Sequence, residues 1–264
     1  MMLLYDLPNP LIGFIIVVFT IFACLSGYFL YHRIFRIEVS ESDRELAMSV
    51  LGIVATVHSL LLAFSAVSVW ESHGAAEASV VNEANTVAQL ARDLAVFDSP
   101  EGSQARDELR TYVSVVLEDE WPRMRRGEAS DQAWQAVDEV FRDIARMEPD
   151  TPKRQAIIEG VWLRVNDLVK LRRDRIYASQ SEIPLTLWTV VLIGTVLTML
   201  TTFVLPPTRF NVYMIATLAF SVGLVFFFLI AMDRPFAGQE GIDPGPFRLA
   251  LDNMANWDRA STPR

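Results

Sequence analysis

The side chains able to do chemistry are few. The chain has three histidines, His32, His58 and His73, and a single cysteine, Cys24. His73 stands between Glu71 and Glu77. Imidazole and carboxylate together can hold a divalent metal, but the helical spacing of this set converges poorly on one ion, and a solvated helical face is expected. Glu118, Asp119 and Glu120 form a carboxylate run expected at the surface. Lys170, Arg172, Arg173 and Arg175 form the one basic cluster, just ahead of an apolar block, where a topological role is expected. No H-E-x-x-H, G-x-S-x-G or P-loop pattern occurs. With no nucleophile, metal or cofactor set, an enzyme is the weakest reading and no cofactor is expected. A formal net charge of −9 with a single basic cluster argues against nucleic acid as a partner. One cysteine allows no intrachain disulfide.

The better-placed chemistry lies in an apolar run, Leu46–Trp70, whose one ionisable side chain is His58. At about 100° per residue, His58, Ser65, Ser68 and Ser72 fall on one side of a helix, with Glu71 at its end. Polar groups on a membrane helix border water or another polar surface. That makes His58, Ser65, Ser68, Glu71 and Ser72 the pore-lining candidates. In the competing reading the hydroxyls bond back to their own helix and His58 bonds across to a neighbour. Roughly opposite lie Ser49, Gly52, Thr56, Ser59, Ala63 and Ala66, small residues at steps of three and four. Such a stripe lets helix backbones approach closely in lipid, so it is the candidate helix-packing interface between subunits.

The elements that must position these groups follow from hydropathy. The 264 residues are 52% hydrophobic, and the apolar residues gather in four blocks: 11–31, 46–70, 184–205 and 210–232. Each has roughly the 20 residues that a bilayer core requires. The expected fold is an all-α membrane protein with two spans, an inserted helical-bundle domain over 71–183, two more spans, and a polar tail over 233–264. The residues before the first block, MMLLYDLPNP, lack the basic start of a signal peptide, so that block is read as a span.

Within the polar stretch the reading is helical throughout. The second span continues as a long rod to about Phe97, where Asp98-Ser99-Pro100 breaks it. Ser42 with Glu45 reads as a capping box opening that helix. Pro122 is expected to kink or end the next helix. Thr151-Pro152 reads as an N-cap followed by a first-turn proline, and Ile158, Val161, Val165 and Leu168 form the buried stripe of the helix it starts. The threonine-rich third span, with Thr186, Thr189, Thr195, Thr198, Thr201 and Thr202, is expected to bond its hydroxyls to its own backbone. The fourth, nearly pure hydrocarbon, is expected to face lipid. The tail holds a short helix over 247–257.

Basic residues near span ends set orientation. Arg33, Arg36, Arg44 and Arg209 lie on one side. The heavier set, Arg164, Lys170, Arg172, Arg173, Arg175, Arg234 and Arg248, lies on the side of both termini and the helical domain, which are therefore expected in the cytoplasm.

Several stretches, in this order, carry a resemblance: LLAFSAVSVWESH ending the second span, NEAN at 82–85, YVSVVLEDEW at 112–121, LRRDRI at 171–176 feeding IPLTLW at 183–188, and DRPFAG at 233–238. Together they resemble the bacterial membrane proteins carrying a bestrophin-like domain. The resemblance implies a bacterial inner-membrane protein akin to pentameric chloride channels of four spans with cytosolic termini. Its partners would be the lipid bilayer, further copies of the same chain, and inorganic ions. An anion path calls for basic or amide groups, whereas Glu71, Glu77 and Glu83 follow the second span, so cation and anion both stay open. The leading function is an oligomeric ion channel; the alternative is a membrane-anchored helical interaction or sensory protein without transport activity.

Overall fold

The computed structural model describes residues 7–35, 40–97 and 99–261. Arg36 of the orientation set and Asp98 of the expected break lie outside the described residues. The chain is all-α, 84% helical, with no strand among the described residues. In order the helices are α1 Asn9–Ile34, α2 Glu41–Phe97, α3 Pro100–Val115, a π-helical segment Val116–Glu120, α4 Trp121–Met124, α5 Asp131–Ala145, α6 Pro152–Gln180, α7 Leu185–Thr202, α8 Arg209–Met232 and α9 Gly245–Ser261. Four helical stretches are long and apolar enough to cross a membrane: α1, α2, α8 and the stretch Pro152–Thr202. In the last, the apolar part is α7, set off from α6 by non-helical residues 181–184.

Two compact units share the chain. One comprises residues 1–72 and 182–234, the other residues 73–181 and 235–264. In the first, α1 packs on α8 around Cys24, Tyr28, Ile215, Ala219 and Val222, with Met199 of α7 and Phe203, the residue that caps it, joining them. A Cβ added at Gly223 would sit 3.0 Å from Val17 Cα, so glycine is what permits this approach. The fourth span, expected to face lipid, has two sides: Ile215, Ala219, Val222, Gly223 and Leu229 of α8 are buried against protein, while Phe210, Tyr213, Phe220 and Leu224 are exposed. Apolar side chains suit lipid and helix contacts equally, so hydropathy does not separate the two.

Loose polar ends of this unit are tied locally. Tyr28 Oη donates to the Leu205 carbonyl at 2.8 Å, and His32 Nε2 lies 2.9 Å from the same oxygen. The Ile183 amide, just before Pro184, donates to Asp233 Oδ1 at 2.6 Å. Hydroxyls of Thr189, Thr195, Thr198, Thr201 and Thr202 each bond to a carbonyl three or four residues back, which satisfies them without a water-filled path. The cap of α2 differs from expectation. Ser40, not Ser42, opens the helix: its Oγ accepts from the Asp43 amide at 3.2 Å and donates to the Asp43 carboxylate.

In the second unit one apolar core joins the C-terminal part of α2 (Ala76, Val80, Ala84, Val87, Leu90, Leu94) to α3, α5, α6 and α9. Thr151 caps α6 by accepting from the Arg154 amide at 3.2 Å, with Pro152 in the first turn. Ile158, Val161, Val165 and Leu168 are all buried. Ser99 caps α3 in the same way through Gly102. The helix runs through Pro122 and ends two residues later at Met124. Proline has no N–H and crowds the carbonyl four residues back, and the turn before it widens to the π form, with the Trp121 amide donating to Val116. The tail helix is longer than expected, Gly245–Ser261. Phe247 and Met254 are buried in the core, the Arg92 guanidinium lies 4.7 Å from the Trp257 ring centroid, and Arg106 and Arg110 both pair with Asp258.

Candidate functional site

In the first unit the pore-lining candidates divide. His58 and Ser65 are only 4% and 2% exposed, whereas Ser68, Glu71 and Ser72 are exposed. His58 Nε2 lies 3.1 Å from Thr195 Oγ1 on α7, the cross-helix partner of the competing reading. A Cβ on Gly194 would sit 2.9 Å from His58 Cε1 and closer still to Nδ1, so the imidazole occupies the space left by that glycine. Its Nδ1 is buried with no hydrogen-bond partner. Ser65 donates to the Leu61 carbonyl at 2.8 Å. Leu62 and Val69, on the same side of α2, are buried with Val191 and Leu229. This side of the helix is where α2 meets its own chain.

The small-residue stripe has the opposite setting. Ser49, Gly52, Thr56, Ser59 and Ala63 are exposed and Ala66 is partly buried; nothing approaches within 4 Å of a Cβ built on Gly52. Ser49, Thr56 and Ser59 return their hydroxyl protons to carbonyls four residues back. Their oxygens keep acceptor capacity, so from Ser49 to Ala63 the surface is small, mildly polar and uncovered by this chain, while Ala66 packs against Leu62, Val69, Val191 and Leu229.

The second unit contains a charge cluster that the sequence reading placed at the surface. Of the run Glu118–Asp119–Glu120, only Glu118 is fully exposed; Glu120 is buried, and so are Arg172 and Arg175 of the basic cluster. The reason is helical register. Arg172 and Arg175 continue the stripe Ile158, Val161, Val165, Leu168 at steps of four and three, and the π-helical turn brings Glu120 inward. Arg175 Nε and Nη2 reach Glu83 at 2.7 and 3.0 Å, and Nη2 also reaches Glu120 at 2.7 Å. Arg172 Nη2 pairs with Glu120 and donates to the Ser130 carbonyl at 3.0 Å. Tyr112 donates to Glu83. Two arginines and two glutamates therefore cancel with all four side chains fully withdrawn from water.

Pairing between opposite charges offsets desolvation here; Arg172 Nε and Nη1 stay buried without a hydrogen-bond partner, the guanidinium lying 4.0 Å from the Trp134 ring centroid. Burial opposes the Glu120 carboxylate, but Arg175 and Arg172 outweigh it and hold its pKa below the usual value. Burial likewise opposes the Arg175 charge, and Glu83 and the neighbouring groups more than compensate, raising it well above the ordinary guanidinium value. Burial, helped by Glu83, pushes the Tyr112 phenol well above its usual range, leaving a neutral donor. Asp119 faces outward from the cluster and bonds Ser130, the N-cap of α5, and Arg123. The signal was present in sequence: Glu83 interrupts the apolar series Ala76, Val80, Ala84, Val87, and opposite charges at buried register positions on different helices call for each other.

Among the described residues no three His, Cys, Asp or Glu side chains converge on a metal position. Glu71 and Glu77 are exposed and His73 half-buried.

The fold and these sites define an all-helical protein with membrane-capable helices and a helical unit built on a neutral buried charge cluster. The bestrophin-like domain family matches residues 18–247, and the chain belongs to that family, whose kinship is with membrane channels rather than enzymes. Comparison with curated proteins and with solved structures finds no match.

Proposed function

We propose that this chain is one subunit of an oligomeric ion channel, with α2 beside the conduction path. The observation that carries the reading is the uncovered face of α2: hydroxyls and small residues on a helix apolar enough to span, at a surface its own chain does not use. In this reading the exposed part of the stripe, from Ser49 to Ala63, packs against neighbouring copies, five in all by analogy with the family. Ser68, Glu71 and Ser72 border the path, and His58 and Ser65 brace α2 from behind. The spans form a two-plus-two set with residues 71–183 between them. In this reading that domain and both termini lie in the cytoplasm of a bacterial inner membrane, the side that basic residues near the span ends favour. A ring of Glu71 carboxylates would enrich cations, whereas family kinship points to chloride; the reversal potential decides.

The test is current through purified protein in planar bilayers. Wild type is expected to conduct, Glu71→Gln to lower the cation-to-anion permeability ratio, and Ser68→Leu to reduce unitary current. Wild-type current unchanged by both substitutions would take these residues out of the path. A silent bilayer with an intact oligomer would favour the membrane-anchored interaction or sensory protein. Orientation is tested with a cysteine at exposed Gln132, which an impermeant reagent should leave unmodified in intact cells.

A further inference from the structure

The helical unit holds a groove that conduction does not use. It lies between α5 and α6, open to solvent, with a volume of about 520 Å³, comparable in size to small-molecule sites. Trp134, Asp138 and Phe141, at i, i+4 and i+7, line it from α5; Lys170, Arg173 and Asp174 line it from α6. The two cations and two carboxylates do not neutralise one another directly. Among the described residues the side chains of Asp138, Lys170 and Asp174 make no hydrogen bond or ion pair, and Arg173 only lies over Trp134, 5.7 Å from its centroid. The aromatic wall is fixed from within: Arg172 of the buried cluster stacks on Trp134 at 4.0 Å.

This pattern of charge selects a class of ligand. A simple anion would gain from Lys170 and Arg173 but meet two carboxylates, and a simple cation would meet the reverse. A molecule bearing both an ammonium and an anionic group uses both sets, and electrostatic complementarity of this kind confers specificity. The Trp134 and Phe141 rings add apolar surface, and an indole face also favours a cation. We infer that the groove binds a small zwitterion, its anionic group at Lys170 and Arg173 and its ammonium at Asp138 and Asp174. A free amino acid and a phosphoethanolamine headgroup share this chemistry.

Titration calorimetry on the full chain in detergent tests it. The probes are the twenty free amino acids and O-phosphoethanolamine, with acetate and methylammonium as half-ligands. At least one zwitterion should bind saturably, about tenfold or more tighter than either half-ligand, and which zwitterion it is distinguishes the two sources. Arg173→Gln and Asp138→Asn should each weaken it about tenfold. Neither should shift the thermal midpoint, since both side chains are exposed and outside the buried cluster. Absence of saturable binding by every zwitterion would overturn the inference. So would acetate binding as tightly as the best zwitterion, or an affinity unaltered in both variants.

Discussion

Arg175 and Glu83, 92 positions apart in sequence, meet through two hydrogen bonds of 2.7 and 3.0 Å with neither side chain reaching solvent. This pair ties α6 to α2, and Glu120 ties the π-helical turn to both arginines. Removing one partner leaves a buried charge uncompensated, at about 3–5 kcal/mol. Glu83→Ala and Arg175→Ala are each expected to destabilise the helical unit by that order, measured by denaturant unfolding in detergent. Because the residues share one interaction, the double variant should lose less than the two single losses added; strict additivity would show that the pair does not couple.

The same cluster sets a response to acid. Glu120 has a folded-state pKa below its unfolded one. Its contribution is therefore fully present above the unfolded value, about 4.3 for a glutamate, and is lost as pH falls through the lower folded value. The thermal midpoint should hold near neutrality and drop in this acid window. Glu120→Gln should start lower at neutral pH and show a shallower acid limb. An acid limb as steep in the variant as in wild type would assign the acid response to other carboxylates.

His58 and Gly194 make a second test. A methyl at 194 would overlap the imidazole, and overpacking a closed contact costs about 1–3 kcal/mol. Gly194→Ala should lower the thermal midpoint of the purified protein, and adding His58→Ala should restore part of it by returning the space. If Gly194→Ala alone is silent, the two helices do not hold this contact.

Gly52 separates folding from assembly. The space around it is open in the single chain, so Gly52→Leu should leave the subunit's helicity unchanged. Between copies a leucine would force backbones apart and lose about 1–3 kcal/mol of packing per contact. Oligomer mass in mild detergent, read by light scattering, should fall. Retention of the wild-type mass would exclude the stripe as the subunit interface.

Much of this was legible residue by residue. Long apolar runs can only become helices in lipid, because the backbone must satisfy its own hydrogen bonds there, and Thr151-Pro152 and the stripe from Ile158 to Leu168 are local signals read correctly in place. Three things were decided elsewhere. The neighbour of each span is not written in its own residues, because helix and lipid surfaces are equally apolar, so nothing in α8 itself separates the side that packs on α1 from the side left exposed. Polarity alone does not name a partner for His58 on α2; Gly194 and Thr195, far along the chain, supply one. Glu120, Arg172 and Arg175 looked like solvated charge because each is costly to bury alone. Only when α2, α6 and the π-helical turn come together do they neutralise one another, and that balance is a property of the assembled helices, absent from any one segment.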